Sequence, residues 1–108
     1  MDNSNVIAMI AKMVMEFLQK MGIQCIRSTN GTNRDIYVFN DDLIEDVISI
    51  ITISEYDSEV INVRIIVGKQ HGFENTYIIN EFDPEDVVKY VDGVLSKYNW
   101  YNRYIKAK

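Results

Sequence analysis

The chain has 108 residues, of which 47% are hydrophobic and 25% are charged, and its formal net charge is −5. One domain is the usual outcome at this length, and folding then removes roughly two thirds of the unfolded chain's surface from water. The apolar fraction is too high for a disordered chain. The composition therefore excludes an intrinsically disordered protein and predicts a single domain over residues 1–108.

The cysteine content and the hydropathy pattern indicate a cytoplasmic protein. Cys25 is the only cysteine, which excludes an intramolecular disulfide and a cysteine-based zinc site within one chain. The apolar run 6–21 does not resemble a signal peptide, because Asp2 precedes it and Lys12 and Glu16 interrupt it. No stretch reaches the roughly 18 uninterrupted apolar residues of a membrane span. We expect the protein in the cytoplasm, or in the host cytoplasm if a phage encodes it.

The first predicted element is an amphipathic helix. Its apolar residues recur at spacings of three and four, which is the helical period: Val6, Ile7, Ile10, Met13, Val14, Phe17, Leu18 and Met21. Asn3, Ser4 and Asn5 offer capping side chains at its start, and Gly22 ends it. All five methionines lie within the first 21 residues. Their flexible thioethers suit either gap-filling in a core or a promiscuous peptide groove.

After Gly22 the apolar period changes to two, which indicates strands. We predict a first strand from Ile23, a turn within residues 28–33, and further strands at about 36–39, 43–54, 59–67 and 76–80. Residues 43–51 also fit a short helix after Asn40, but the β-branched residues of 47–53 favour a strand. These strands should pair as an antiparallel meander.

A second helix is predicted from Pro84. Asp83 is a favourable cap, proline is favourable at the first helical position, and Glu85 and Asp86 meet the positive end of the helix dipole. Helical spacing continues to Tyr104 with only weak breakers at two asparagines. The sequence therefore predicts a two-layer α+β fold with an N-terminal helix, an antiparallel meander of four to five strands and a C-terminal helix, with the helices on one face of the sheet.

The sequence contains no recognisable catalytic, cofactor or metal motif. Cys25 and His71 are the only pair available for a cysteine–histidine mechanism, and Cys25 lies where a small buried hydrophobe is expected. Gly68-Lys69 lacks the remaining residues of a nucleotide-binding loop. The acidic run 41–46 lacks the central glycine of a calcium loop. We therefore expect no enzyme activity, no cofactor and no bound metal.

Charge is strongly segregated along the chain. Residues 35–92 hold fourteen acidic residues and three basic ones, a net charge of −11, whereas both ends are basic. Such a field favours basic partners and repels phosphate backbones. The predicted partner-binding residues fall in the part of this segment that has no base between Asp41 and Val63: Asp41, Asp42, Glu45, Asp46, Glu55, Asp57 and Glu59. Carboxylates spread over one face can imitate a nucleic-acid duplex, although acidic loops also maintain solubility.

These observations lead to a hypothesis of a small, non-enzymatic inhibitor that imitates nucleic acid. Ile, Asn, Lys and Tyr number 16, 10, 7 and 7, and this preference for AT-rich codons is typical of low-GC bacteria and their phages. The inhibitor would be a phage or mobile-element protein with an anti-defence, anti-CRISPR-like role. Its predicted partner is a basic host protein, such as a nuclease that binds nucleic acid, and its site is the acidic surface.

The alternative hypothesis is an intracellular chaperone or adaptor that binds an apolar protein segment. Its interface would be the methionine-rich helix or the C-terminal aromatic residues Trp100, Tyr101 and Tyr104, and it could be a homodimer. The same C-terminal run interleaves aromatics with bases, as single-stranded nucleic-acid sites do, but a chain with a pI near 4.7 repels nucleic acid overall. A small-ligand pocket between helices and sheet is a third alternative.

Overall fold

The computed structural model describes residues 3–40, 43–68 and 72–106, without the side chains of residues 40, 43–45 and 106. The elements in these ranges confirm the predicted α+β class. In chain order they are α1 (Ser4–Lys20), β1 (Cys25–Asn30), β2 (Asn33–Asn40), β3 (Leu43–Glu55), β4 (Val60–Val67), β5 (Phe73–Ile78), α2 (Glu85–Leu95) and α3 (Asn99–Lys106).

The strands form one antiparallel sheet in the order β1-β2-β3-β4-β5, so each strand pairs with its neighbour in the chain. Asn30 and Asn33 close the first hairpin around a two-residue loop. Gly31 has φ 62° in this loop, a conformation that favours glycine. The sheet is therefore the predicted meander, and its hairpins are formed by local turn residues.

The hydrophobic core lies between the helices and one face of the sheet. Along β4 the side chains of Ile61, Val63, Ile65 and Val67 are buried and alternate with more exposed residues, which is the period of two that indicated a strand. Helix α1 covers β1 to β3 and helix α2 covers β4. Burial of each large aliphatic side chain contributes about 1.5–3 kcal/mol, so this single cluster holds the two layers together.

The start of α1 differs from the predicted cap. Asn3 occupies the cap position, but its side chain makes no capping hydrogen bond. Its amide Nδ2 instead donates to the backbone carbonyls of Ser58 at 3.1 Å and Asp57 at 3.4 Å, and Asn3 is buried there. The asparagine therefore joins the N-terminus of α1 to the β3–β4 turn, a long-range contact that sequence spacing does not reveal.

The C-terminal helix is divided in two, where the sequence predicted one run with weak breakers. Helix α2 ends at Leu95 and α3 begins at Asn99. Ser96 Oγ donates to the carbonyl of Asp92 at 2.6 Å, and Asn102 Nδ2 donates to the carbonyl of Ser96 at 2.8 Å. The carbonyl of Asp92 also accepts the helical hydrogen bond from the amide of Ser96, so only the carbonyl of Ser96 is taken by a side chain in place of a helical amide. Helix α2 ends there, and α3 brings Tyr101 into the core.

Three strands differ from their predicted bounds by two residues or more, and one of them is β2, which spans Asn33–Asn40 rather than 36–39. The last strand spans Phe73–Ile78 rather than 76–80, and β1 begins at Cys25 rather than Ile23. Ile23 is buried and its amide donates to the carbonyl of Leu18, so it belongs to the end of α1. The amide of Ile79 donates to the carbonyl of Glu59 at 2.8 Å, which continues the β4–β5 pairing just beyond the strand.

Candidate functional site

The predicted acidic residues that the structure describes lie at two ends of β3 and not in one patch. Asp46 and Glu55 both lie in β3 and are exposed, but nine residues separate them, which is roughly 30 Å at 3.3 Å per residue. Asp41 and Asp42 fall outside the described residues, as does the side chain of Glu45. Glu55, Asp57 and Glu59 lie together at the far end of β3. The compact surface of a single partner would therefore contact only one of the two ends of β3.

The end of the sheet that holds the β3–β4 turn gains two further acids from a distant part of the chain. The hydrogen bond between Ile79 and Glu59 fixes the β5–α2 connection beside this turn. Glu81 and Asp83 follow in that connection and are exposed. We call this group of five carboxylates the acidic end: Glu55, Asp57, Glu59, Glu81 and Asp83. The sequence analysis missed Glu81 and Asp83, because only the strand pairing places them here.

Two carboxylates of the acidic end hold the backbone in place. Asp57 Oδ1 accepts hydrogen bonds from the amides of Glu59 at 2.8 Å and Val60 at 2.9 Å, which closes the β3–β4 turn. Asp83 Oδ1 accepts from the amide of Glu85 at 3.0 Å, although α2 begins one residue later than predicted and Pro84, not Asp83, occupies its N-cap position. These two acids therefore have structural roles, and they fix the positions of the others.

Glu55, Glu59 and Glu81 remain as exposed carboxylates, and none forms an ion pair with another residue that the structure describes. Arg34 enters from the adjacent β1–β2 turn, which Asn33 joins to this end by accepting from the amide of Glu55 at 3.2 Å. However, Arg34 Nη1 donates to three loop carbonyls, those of Gly31, Thr32 and Asn33, at 3.0–3.1 Å. The guanidinium group of Arg34 is thus hydrogen-bonded to backbone carbonyls.

Both α1 and α2 begin at the acidic end. Asn3 attaches the start of α1 to the β3–β4 turn, and Asp83 accepts from the amide of Glu85, the first residue of α2. Helix N-termini carry partial positive charge and stabilise nearby anions by about 0.3–1 kcal/mol at exposed sites. The dipoles lower the mutual repulsion of the carboxylates without removing their net negative charge. The acidic end is therefore a stable, charged and preformed surface.

The predicted aromatic interface changes in the structure. Tyr101 is fully buried in the core, and its hydroxyl donates to Asp92 Oδ1 at 2.6 Å. Burial is the main cause that raises the pKa of Tyr101, and the hydrogen bond and the charge of Asp92 raise it further. Trp100 and Tyr104 are half-buried and pack against the core, with the Trp100 ring edge-on to Tyr101 at 5.8 Å. Tyr101 therefore has no surface to offer a partner.

The candidate catalytic pair gains no support from geometry. Cys25 is buried in the core cluster, and desolvation raises the pKa of its thiol, which disfavours the nucleophilic thiolate. His71 lies outside the described residues. In the ranges that the structure covers, no group of three or more His, Cys, Asp or Glu side chains has a metal-binding arrangement. Each described helix is too short or too polar to cross a membrane.

A shallow groove lies between α1 and α2, with a volume of about 310 Å³. Met13, Phe17 and Val88 form its apolar part. Four charged residues of both signs line it as well: Glu16, Lys20, Glu85 and Lys89. Met9 projects from the same helix with 43% of its surface exposed. The methionine-rich helix therefore contributes mainly to the core and the groove, and only part of it faces solvent.

Comparison with known proteins gives no relative from which to transfer a function. The chain matches no protein-family model, and neither a curated protein nor a solved structure matches it. Its function has to be argued from its own residues.

Proposed function

We propose that the protein is a small, non-enzymatic inhibitor that binds a basic, nucleic-acid-binding surface of a host protein through the acidic end. The observation that carries this proposal is the convergence of five carboxylates from two distant segments, joined by the Ile79–Glu59 hydrogen bond. The segments 55–59 and 79–86 contain no lysine or arginine. The surface thus presents the charge that a phosphate-binding site recognises.

Rigid presentation supports this function. A flexible acidic loop loses conformational entropy when it binds, whereas a preorganised surface avoids most of that cost. Asp57 and Asp83 already fix the backbone on both sides of the three exposed glutamates. The partner's lysine and arginine side chains would then meet glutamates on a backbone that is already held by hydrogen bonds within the protein.

The test compares two variants of equal charge. The first changes Glu55, Glu59 and Glu81 to Gln, which leaves the turn-forming Asp57 and Asp83 unchanged. The second changes Asp41, Asp42 and Asp46 to Asn at the other predicted cluster. Each variant loses three of the sixteen acids, so the formal charge rises from −5 to −2 in both. Any difference between them therefore reports position and not total charge.

Proteins captured from a low-GC bacterial lysate at low salt would be identified, purified and titrated with the three forms of the protein. We expect a nucleic-acid-binding protein that binds the original and the Asn variant but not the Gln variant. Duplex DNA should compete, and binding should weaken steeply with salt. Loss only in the Asn variant would move the site to residues 41–46, and equal loss in both would reduce the effect to net charge.

A second candidate function is supported by the groove between α1 and α2. Its apolar residues Met13, Phe17 and Val88 could hold a single apolar side chain of a protein segment, as the adaptor hypothesis requires. Binding there should resist salt, because burial of apolar surface does not depend on charge. Changing Val88 to Asp should abolish capture of such a segment and leave binding through the acidic end intact.

A further inference from the structure

The face of the sheet opposite the helices, which we call the outer face, carries a half-buried apolar row across four strands. Ile26, Tyr37, Ile50 and Ile66 are register partners on β1 to β4. None of them packs against the hydrophobic core, and Ile26 is 51% exposed. Gly72 stands beside the end of the row, where an added Cβ would lie 3.3 Å from Ile66 Cγ1. The row therefore ends in a position without a side chain.

The next row of the outer face is polar, and its charges are arranged asymmetrically. Asp35 on β2, Thr52 on β3 and Arg64 on β4 are register partners. Thr52 Oγ1 donates to Asp35 Oδ1 at 2.7 Å, and Arg64 Nε lies 3.5 Å from Glu74 Oε1 on β5. Asp35 and Arg64 thus occupy equivalent places on either side of β3, with opposite charge.

We propose that the outer face binds a second copy of this chain, face to face, about a two-fold axis that runs along β3. This operation places β2 of one copy over β4 of the other and β1 over β5. Asp35 of each copy then faces Arg64 of the other copy. Ile50 meets Ile50, Tyr37 meets Ile66, and the exposed Ile26 fills the space above Gly72. Charge and shape are complementary in one self-consistent arrangement.

The available area is sufficient for such a dimer. Five strands at about 4.8 Å spacing and some eight residues at about 3.3 Å give a face of roughly 600 Å² per copy. Two copies bury roughly 1,200 Å², which is at the lower limit for a stable, specific interface. We take a dissociation constant on the order of micromolar, the weak end of the range that interfaces of standard size cover. Because the axis follows the strands, both acidic ends lie at the same end of the dimer.

Sedimentation equilibrium of the full chain tests the proposal. We expect the original protein to be a dimer at about 100 μM, well above a micromolar dissociation constant. Ile50→Glu places two carboxylates in contact at the axis and should weaken the dimer on the order of 100-fold. The control Met9→Glu adds the same charge on α1, away from the outer face, and should leave the dimer unchanged. A monomeric original protein at this concentration would overturn the proposal.

Charge exchange identifies the orientation and guards against misfolding. Asp35→Lys alone and Arg64→Asp alone each place like charges opposite one another, so each homodimer should weaken about 10-fold or more. In an equimolar mixture of the two variants both contacts are again between opposite charges. Restored dimerisation in the mixture supports the proposed axis and shows that both variants are folded. Two folded variants, shown by circular dichroism, that remain monomeric when mixed would refute it.

Discussion

The buried hydroxyl of Tyr101 allows a sharp prediction about the C-terminal aromatic cluster. Tyr101 is fully buried, and its hydroxyl donates to Asp92 at 2.6 Å. The change Tyr101→Phe removes only the hydroxyl and leaves the ring in the core. It therefore isolates the hydrogen bond, and it leaves the carboxylate of Asp92 without its phenol donor.

A hydrogen bond to a charged group contributes about 1.5–3 kcal/mol, and we take about 2 kcal/mol because Asp92 is only half-buried. For a chain of 108 residues the entropy of unfolding is about 0.23 kcal/mol/K, from about 2.1 cal/mol/K per residue. Tyr101→Phe should therefore lower the melting temperature by about 9 °C near neutral pH. The control Tyr56→Phe should change nothing, because Tyr56 is 72% exposed.

The same bond predicts a dependence on alkaline pH. The folded protein raises the pKa of Tyr101 above its ordinary value of 10.0, first through burial and then through Asp92. Above that pH the unfolded chain releases the phenol proton while the folded chain keeps it, so the stabilisation is full below pH 10 and declines as the pH rises. Its slope is about 1.4 kcal/mol per pH unit. The difference between original and Tyr101→Phe should thus shrink from about 2 to about 0.6 kcal/mol at pH ~11.

Urea unfolding followed by circular dichroism at several pH values between neutral and strongly alkaline measures these differences. Tyr77 and Tyr90 also have raised pKa values, and both remain in the variant, so their contributions cancel in the comparison. A loss below about 0.5 kcal/mol at neutral pH, with no change on the alkaline side, would contradict the buried donor. Tyr101 would then be free to serve the surface that the sequence analysis predicted.

Three further changes test separate parts of the fold. Trp100→Phe should alter the free energy of unfolding by less than about 1 kcal/mol, because the buried Nε1 has no acceptor among the described residues. Trp100→Ala should lower the free energy of unfolding by about 3 kcal/mol. Urea titration of both variants compares the two losses. Asp57→Ala should lower the free energy of unfolding by about 1–2 kcal/mol, since two turn amides lose their acceptor. Asp57→Asn should lower it less, and thermal unfolding distinguishes the two variants. Gly31→Ala should lower the free energy of unfolding by about 1–2 kcal/mol, because residue 31 has φ 62°, and Gly31→Asn should lower it less. Equal melting temperatures for the original protein and Gly31→Ala would contradict the left-handed turn.

The parts of the fold that the sequence predicted are those with local causes. The helical spacing of α1 depends on neighbours three and four residues away, and the alternation of β4 depends on neighbours two residues away. The Asp83-Pro84 start of α2 depends on adjacent residues alone. Because the strands pair in chain order, these local signals were enough to predict the meander and the two layers.

What the sequence did not predict depends on contacts between distant residues. Asn3 is of a residue type that commonly caps helices, but its side-chain amide donates to a backbone carbonyl 55 residues away. Tyr101 is of a residue type that is common at interfaces, but its hydroxyl donates a hydrogen bond to Asp92 and its ring is buried in the core. The break between α2 and α3 depends on Asn102 reaching back to Ser96. In each case a side chain had more than one possible partner, and only the folded arrangement selects one.

The charge pattern illustrates how the fold converts a linear property into a spatial one. In the sequence the acids of residues 35–92 form one long segment. In the sheet, β3 carries Asp46 and Glu55 to opposite ends, while the β4–β5 pairing adds Glu81 and Asp83 to one of them. The outer face between the ends holds Asp35, which Thr52 contacts, and the Arg64–Glu74 pair. Among the described residues, Glu55, Glu59 and Glu81 lie without an ion pair at one end of the sheet, and the outer face keeps few uncompensated charges. An acidic end can attract a basic partner from a distance, whereas a face whose few charges are mostly compensated can contact a second copy with less repulsion than the acidic end would meet. The two surfaces are physically suited to different tasks, which is why their variants can be tested independently.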